Sequence, residues 1–266
     1  MKFPLMCLAL AACASTASQA NHSEEQRLAR LEHRMNQIVE MLDKAMPPAE
    51  PDPAARYAVP VNANDPQEGP RDAKVTIVEG FEFLCPYCFM VNPTVDQILA
   101  KYPHDVRVVA KYLVIHGQTA VPPAMAVCAA AKQGKYKEMK TAVWTHLWGN
   151  TSDRPSLDKE EALPESLQKT AVSVGLNPTK LAADMRSREC ADWIRESEEV
   201  LRAFNAASTP AFFINGRFIA GAQSFESFDR VVQEELAAAD KAPGADYYQR
   251  EVVGKGLKKV KGRFDD

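Results

Sequence analysis

Apolar positions change their period several times along this chain, and each change predicts a different element. Lys2 is followed by an apolar run from Phe3 to Ala14, too short to span a bilayer. It predicts a secretory leader over residues 1–20. Ser23 and Gln26 then have the spacing of a capping box and predict a helix start. Leu28, Leu31, Met35, Ile38, Leu42 and Ala45 follow in alternating steps of three and four, a heptad seam that Pro47-Pro48 ends. Such a stripe leaves water either by packing on its own domain or by self-association. We expect a short coiled-coil oligomerisation helix over residues 22–46, marginal alone and aided by tethering. The prolines of Pro47 to Pro53 predict an extended, semi-rigid linker over 47–55.

Beyond the linker the pattern is globular, and residues 56–240 suffice for one substantial core. Tyr57 to Val61 predicts a short edge strand, and Lys74 to Glu79, rich in β-branched residues, a central one. Pro86 to Tyr102 predicts a helix and Val106 to Ile115 a nearly continuous apolar strand. Strand, helix and strand in that order imply a right-handed crossover and parallel pairing. Residues 116–207 are mainly helical in character, with breaks at Pro122-Pro123, Gly149-Asn150 and Asn177-Pro178. Asn215-Gly216 between two short apolar runs predicts a tight hairpin. A closing helix is expected at Phe225–Ala239. Residues 241–266 read as a flexible tail, with Tyr247-Tyr248 as the pair able to pack.

Chemistry concentrates where the central strand meets the first globular helix, at Cys85-Pro86-Tyr87-Cys88. A thiol at a helix N-terminus faces unpaired N–H groups and the positive end of the dipole, which stabilise a thiolate. A second thiol one turn further in can close a readily reduced disulfide. Zinc would need a second close pair of ligands, and c-type haem a histidine where Phe89 stands, so no metal or cofactor is expected. Cys7 and Cys13 fall within the leader, which leaves Cys128 and Cys190 as an even remainder. They form either a structural disulfide, which we expect, or two buried free thiols. Closing that loop is worth about 4 kcal/mol in the chain-entropy model. A net charge of −3 with only a small basic cluster, Lys258-Lys259-Val260-Lys261, gives no basis for nucleic-acid binding.

Leu10-Ala11-Ala12-Cys13 resembles a bacterial lipoprotein signal, which implies cleavage before Cys13 and lipidation of its thiol. Ordinary cleavage after Ala20 also satisfies the small-residue rule. The lipoprotein reading predicts a periplasmic protein, lipid-anchored to a bacterial membrane.

The Cys-Pro-Tyr-Cys sequence after a strand, the long helical stretch, and Thr209-Pro210 before the Asn-Gly hairpin together resemble the DsbA-like branch of the thioredoxin superfamily. The resemblance spans roughly Tyr57 to Leu236. It implies an α/β thioredoxin fold with a helical domain inserted at 116–207. Pro210 would be a cis-proline facing the cysteines, and Glu79 the buried acid that tunes them. Cys85 would be the exposed nucleophile and Cys88 the resolving thiol. Pro86, Tyr87, Thr209 and Pro210 would contact substrate, with the Thr209 backbone pairing to an extended segment. Tyr87 and Thr209 depart from the Cys-Pro-His-Cys and Val-Pro of strong oxidases and resemble DsbG-type and ScsC-type proteins.

The implied activity is thiol–disulfide exchange on secreted or periplasmic proteins, as an isomerase or reductase, with a membrane redox partner resetting the cysteines. A DsbA-type oxidase is the first alternative, and a chaperone or scaffold with incidental redox chemistry another. Unfolded or misoxidised proteins are the expected substrates, and a homo-oligomer through residues 23–46 the expected assembly. Four further residues attract notice. His116 suits a strand-end hydrogen bond, and Trp144 and Trp148, four apart, suit an interdomain core. Glu82 fits either the rim of the cysteine site or open solvent.

Overall fold

A computed structural model describes residues 7–46, 49–149, 162–242 and 244–261, without the side chains of residues 7–23, 43 and 162–164. It divides into two compact units, one containing the N-terminal helix and the other Glu50–Val260. The first unit carries α1 (Cys7–Ala45). This helix begins well before the cap expected at Ser23, because Cys7–Ala20 is rich in alanine and leucine and lacks glycine and proline. Leu28, Leu31, Met35, Ile38 and Leu42 are all exposed along it. The Cys13 side chain, the first six leader residues and Pro47-Pro48 lie outside the described residues.

The second unit is built on a five-stranded sheet in the order β1-β3-β2-β4-β5. Its strands are β1 (Gln67–Glu68), β2 (Val75–Phe81), β3 (Val106–Tyr112), β4 (Ala211–Ile214) and β5 (Arg217–Ala220). β2 and β3 run parallel, joined through α2 (Pro86–Lys101), and β4 pairs antiparallel with β2. Every residue of β2 is buried, as a central strand covered on both faces requires. Its pleat sends Val75 and Ile77 towards α2 and α8 (Phe225–Lys241), where they join Ile98, Phe212 and Phe228. Phe81 packs in the other core, with Tyr112 and the inserted helices. Gly80 leaves room for the helix that carries Leu201, since a Cβ there would lie 3.0 Å from the Leu201 methyls.

The insertion comprises a 3₁₀ turn at Gln118–Ala120, α3 (Val121–Ala131), α4 (Tyr136–Trp148), α5 (Ala162–Ser173), α6 (Pro178–Met185) and α7 (Arg188–Ala203). Asn177 and Ser187 cap α6 and α7 by accepting from Lys180 N and Cys190 N. Cys128 on α3 and Cys190 on α7 are joined by a disulfide with an S–S distance of 2.04 Å. The hairpin turns at Asn215 and Gly216, both at positive φ, and a Cβ at Gly216 would lie 2.3 Å from the Tyr57 carbonyl oxygen. Asn215 is fully buried, and its side chain ties the turn to β2 by accepting from Thr76 N at 2.9 Å.

Two sequence expectations need correction. Tyr57–Val61 is not an edge strand: it makes only isolated bridges, Arg56 to Arg217 and Tyr57 to Leu257. Pro60 has no N–H with which to continue a ladder, and the edge beside β3 is taken by Gln67–Glu68. The tail is likewise packed rather than loose between Tyr248 and Leu257. A π-helical turn spans Tyr248–Val253, Tyr248 and Val252 are buried, and the Tyr248 hydroxyl donates to Val59 O at 2.7 Å.

Replacing both bridged cysteines, Cys128→Ala with Cys190→Ala, should cost about 2–4 kcal/mol of unfolding free energy in urea titrations. A loss below about 0.5 kcal/mol, the size of a neutral surface change, would show that the bridge does not brace α3 against α7.

Candidate active site

β2 ends at Phe81, and four residues later the chain enters α2 with Cys85 as its N-cap (φ −82°, ψ 118°) and Pro86 in the first turn. Proline suits that place because its missing N–H is one the helix would leave unpaired anyway. The intervening loop is held from three sides. The Phe83 N–H donates to the Tyr112 hydroxyl at 3.1 Å, and that hydroxyl donates to Ala120 O at 2.7 Å. Trp148 Nε1 donates to Phe83 O at 2.8 Å. Glu82 is fully buried and accepts from the N–H groups of Ile115 and His116 at 2.7 and 2.8 Å, with the His116 ring pairing to its other oxygen. Glu82 therefore belongs neither to the rim nor to solvent. His116 makes the strand-end contact its position predicts, and Glu82 is its acceptor.

Around the loop, Phe81, Phe83, Phe89, Trp144 and Trp148 form a continuous aromatic wall, in which Phe89 stacks on Trp148 at 5.1 Å. The two tryptophans are thus interdomain core, as their spacing predicts. Tyr87 and Met90 are exposed beside the cysteines. The peptide bond between Thr209 and Pro210 is cis.

Cys85 and Cys88 are both free thiols. The Cys85 thiol donates to the Thr209 carbonyl at 3.3 Å, which places the loop before β4 directly over it. Cys85 is only 3% exposed, so the expectation of an open nucleophile is corrected: the Thr209 loop covers it. The Cys85 pKa is nevertheless lowered to about 6. A hydrogen bond from the Cys88 side chain is the main cause, opposed by burial and reinforced by the Thr209 side chain and the Tyr87 and Cys88 backbone. Burial pushes Cys88 well above the usual thiol range, and the Cys85 and Glu79 charges add to that rise.

Glu79 sits in β2 between Ala110 of β3 and Phe212 of β4, and is 2% exposed. Burial raises its pKa against the opposing attraction of Lys140. Lys140, buried on α4, has its Nζ 3.8 Å from Glu79 Oε2 and 2.9 Å from Glu68 Oε1. Sequence reasoning missed both Lys140 and Glu68. Lys140 left a trace, since it is the one charge in the otherwise aromatic stripe Tyr136, Lys140, Trp144, Trp148. Glu68 left none.

The site is a strand-to-helix junction with two thiols beside a cis-proline loop. A family model described as Thioredoxin matches residues 62–234, well over half of the chain. The chain belongs to the thioredoxin family. Among curated relatives of this thioredoxin-family protein, Na(+)/H(+) antiporter NhaA 3 of Salinispora tropica is 31% identical over 70% of the chain. The match spans only 27% of that antiporter's length. Thiol:disulfide interchange protein DsbA of Bordetella pertussis is 23% identical, over 60% of this chain and 72% of DsbA. A thioredoxin-like oxidoreductase from Silicibacter pomeroyi superposes with a TM-score of 0.56 at 26% identity, over 71% of this chain and 100% of that one. The catalytic domain of Proteus mirabilis ScsC gives 0.56 at 22% identity, over 68% and 93%, and speaks for the fold alone.

Iodoacetamide alkylation of the reduced protein should rise with pH around a midpoint of about 6, set by Cys85. In Cys88→Ala the midpoint should climb towards the ordinary thiol value near ~8.5, because the main stabilising hydrogen bond is gone. An unmoved midpoint would assign the low pKa to the helix terminus instead.

Proposed function

We propose that this thioredoxin-family chain is a thiol–disulfide oxidoreductase working as an isomerase or reductase of misoxidised or unfolded proteins. The observation that carries the reading is the Cys85 thiol at the α2 N-terminus, with its pKa lowered to about 6 and the Thr209 carbonyl beside it. Strong dithiol oxidases hold their thiolate far more tightly, near pKa ~3.5, whereas reductases of this fold sit near ~7. Stabilising the thiolate stabilises the reduced form and so makes the disulfide more oxidising. A value of about 6 keeps Cys85 largely ionised at neutral pH, as exchange in either direction needs, and the Tyr87 and Thr209 departures favour the isomerase or reductase side.

In the proposed reaction the Cys85 thiolate attacks one sulfur of a substrate disulfide. The substrate S–S bond breaks, a mixed disulfide forms through Cys85, and one substrate thiolate leaves. In isomerisation another substrate thiolate displaces Cys85, and no net electrons move. In reduction Cys88 gives its proton to the Glu79 carboxylate and attacks the Cys85 sulfur. The substrate leaves with both thiols, and the pair is left oxidised, two electrons poorer, for a membrane redox partner to reset. The Thr209 carbonyl and the exposed Tyr87, next to Pro86 and Pro210, are the surface against which an extended substrate segment would lie.

The exposed α1 stripe supports self-association through residues 23–46, which would hold several sites together on one substrate. The leader supports a periplasmic location, with attachment through a lipidated Cys13. Four cysteines beyond the leader, two of them bridged, fit an oxidising compartment.

Scrambled-ribonuclease reactivation and reduced-ribonuclease oxidation, run side by side on the chain from Asn21 onward and on its Ile38→Asp variant, test the reading. We expect reactivation at least several-fold faster than oxidation, lost in the variant together with the oligomer. Fast oxidation indifferent to Ile38→Asp would identify a tethered DsbA-type oxidase.

A further inference from the structure

Glu79 does not face Lys140 alone. One buried ammonium serves two buried carboxyls, Glu68 at 2.9 Å and Glu79 at 3.8 Å. Glu68 Oε2 also has Lys137 Nζ at 3.6 Å, and neither that oxygen nor Glu79 Oε2 has a hydrogen-bond partner among the described residues. A cleft of about 730 Å³ opens onto Glu68, Asp96, Tyr136 and Lys137, and neither Cys85 nor Cys88 lines it. The group nearer the cleft thus holds the lysine more closely, and the group nearer the thiols holds it less.

The remaining charges around Glu79 can be assigned. From α4 it meets Lys140 and Tyr136, from β1 Glu68, and from α2 Asp96 and Cys88. Its strand neighbours Ala110 and Phe212 are apolar. Lys111, next along β3, is committed to Asp65 at 2.6 Å. Lys140 is therefore the cation on which the charge of Glu79 depends, and Glu68 is its competitor.

We propose that Lys140 and Glu68 are positioning residues that jointly set the charge of Glu79: Lys140, supplied by the helical insertion, favours the carboxylate, and Glu68 draws Lys140 away from it. This builds on the reading of Glu79 as the proton acceptor of Cys88. It makes the exchange site responsive to a residue in a different cleft. The two partners of one ion pair then have opposite effects. Removing the Glu68 charge releases Lys140 to Glu79 and removes a repelling anion, so Glu79 ionises at lower pH. Removing Lys140 leaves two carboxyls without their shared cation, so Glu79 ionises at higher pH.

Infrared titration of the protonated carboxyl band in the full chain tests this, with the band assigned by its loss in Glu79→Gln. Glu68→Gln should move the midpoint down by about one pH unit, and Lys140→Gln should move it up by about as much. Shifts in the same direction, or no shift in either variant, would overturn the proposal. Glu68→Gln preserves shape and an oxygen that accepts from Lys140, so its downward shift is decisive even if Lys140→Gln does not fold. The pH profile of Cys85–Cys88 closure by oxidised glutathione, measured in parallel, separates the two readings. A profile unchanged in Glu79→Gln would overturn the role of Glu79 in exchange, while opposed midpoint shifts would still establish the shared control.

Discussion

A strand buried on both faces ends here at the N-terminus of a helix, and the chemistry of the site follows from that junction. Burial of β2 fixes the direction in which Phe81 hands the chain on, and Pro86 starts the helix at once. The cap residue is then a cysteine facing unpaired N–H groups in a place almost closed to water. A thiolate there needs local donors, and the second cysteine one turn on is the main one. The same burial that keeps Cys88 protonated makes it a donor to Cys85. The donors around Cys85 and the burial of Cys88 thus give two identical side chains different roles.

Keeping that junction rigid requires contacts from outside the sheet. Glu82 accepts from the segment after β3, Tyr112 braces Phe83, and Trp148 reaches Phe83 from α4. The helical insertion is therefore part of the site as well as a cover over it. Lys140 belongs to that same helix, so α4 delivers both the aromatic wall beside the cysteines and the cation that Glu79 shares. Burying three ionisable groups together costs solvation, which pairing offsets only where geometry is good. Here the pairing is close for Glu68 and loose for Glu79. That asymmetry is the basis for the proposed control of the Glu79 charge.

Much of this was legible in the residues themselves. The Cys-Pro-Tyr-Cys turn, the Asn-Gly hairpin and the apolar runs of β2 and β3 announce their structures locally, because each depends on neighbours a few positions away. The parallel crossover follows from chain order alone. Glu82 left its place open and Lys140 gave only a trace, since a single charge in an apolar context is buried or exposed according to partners far along the chain. Glu68 sits in a two-residue strand whose existence depends on β3. Tyr57 misled for a similar reason. Its position is set by the hairpin turn and by the packed tail, through long-range contacts without periodicity.

The central claim is that Cys85 alone meets the substrate and that Cys88 resolves the bond it makes. Incubating reduced Cys88→Ala protein with an excess of a disulfide-bonded peptide, then mapping the adduct by mass spectrometry, tests this directly. Stable mixed disulfides through Cys85, absent from the unaltered protein because Cys88 releases them, are the predicted result. Adducts at another cysteine, or none at all, would contradict it.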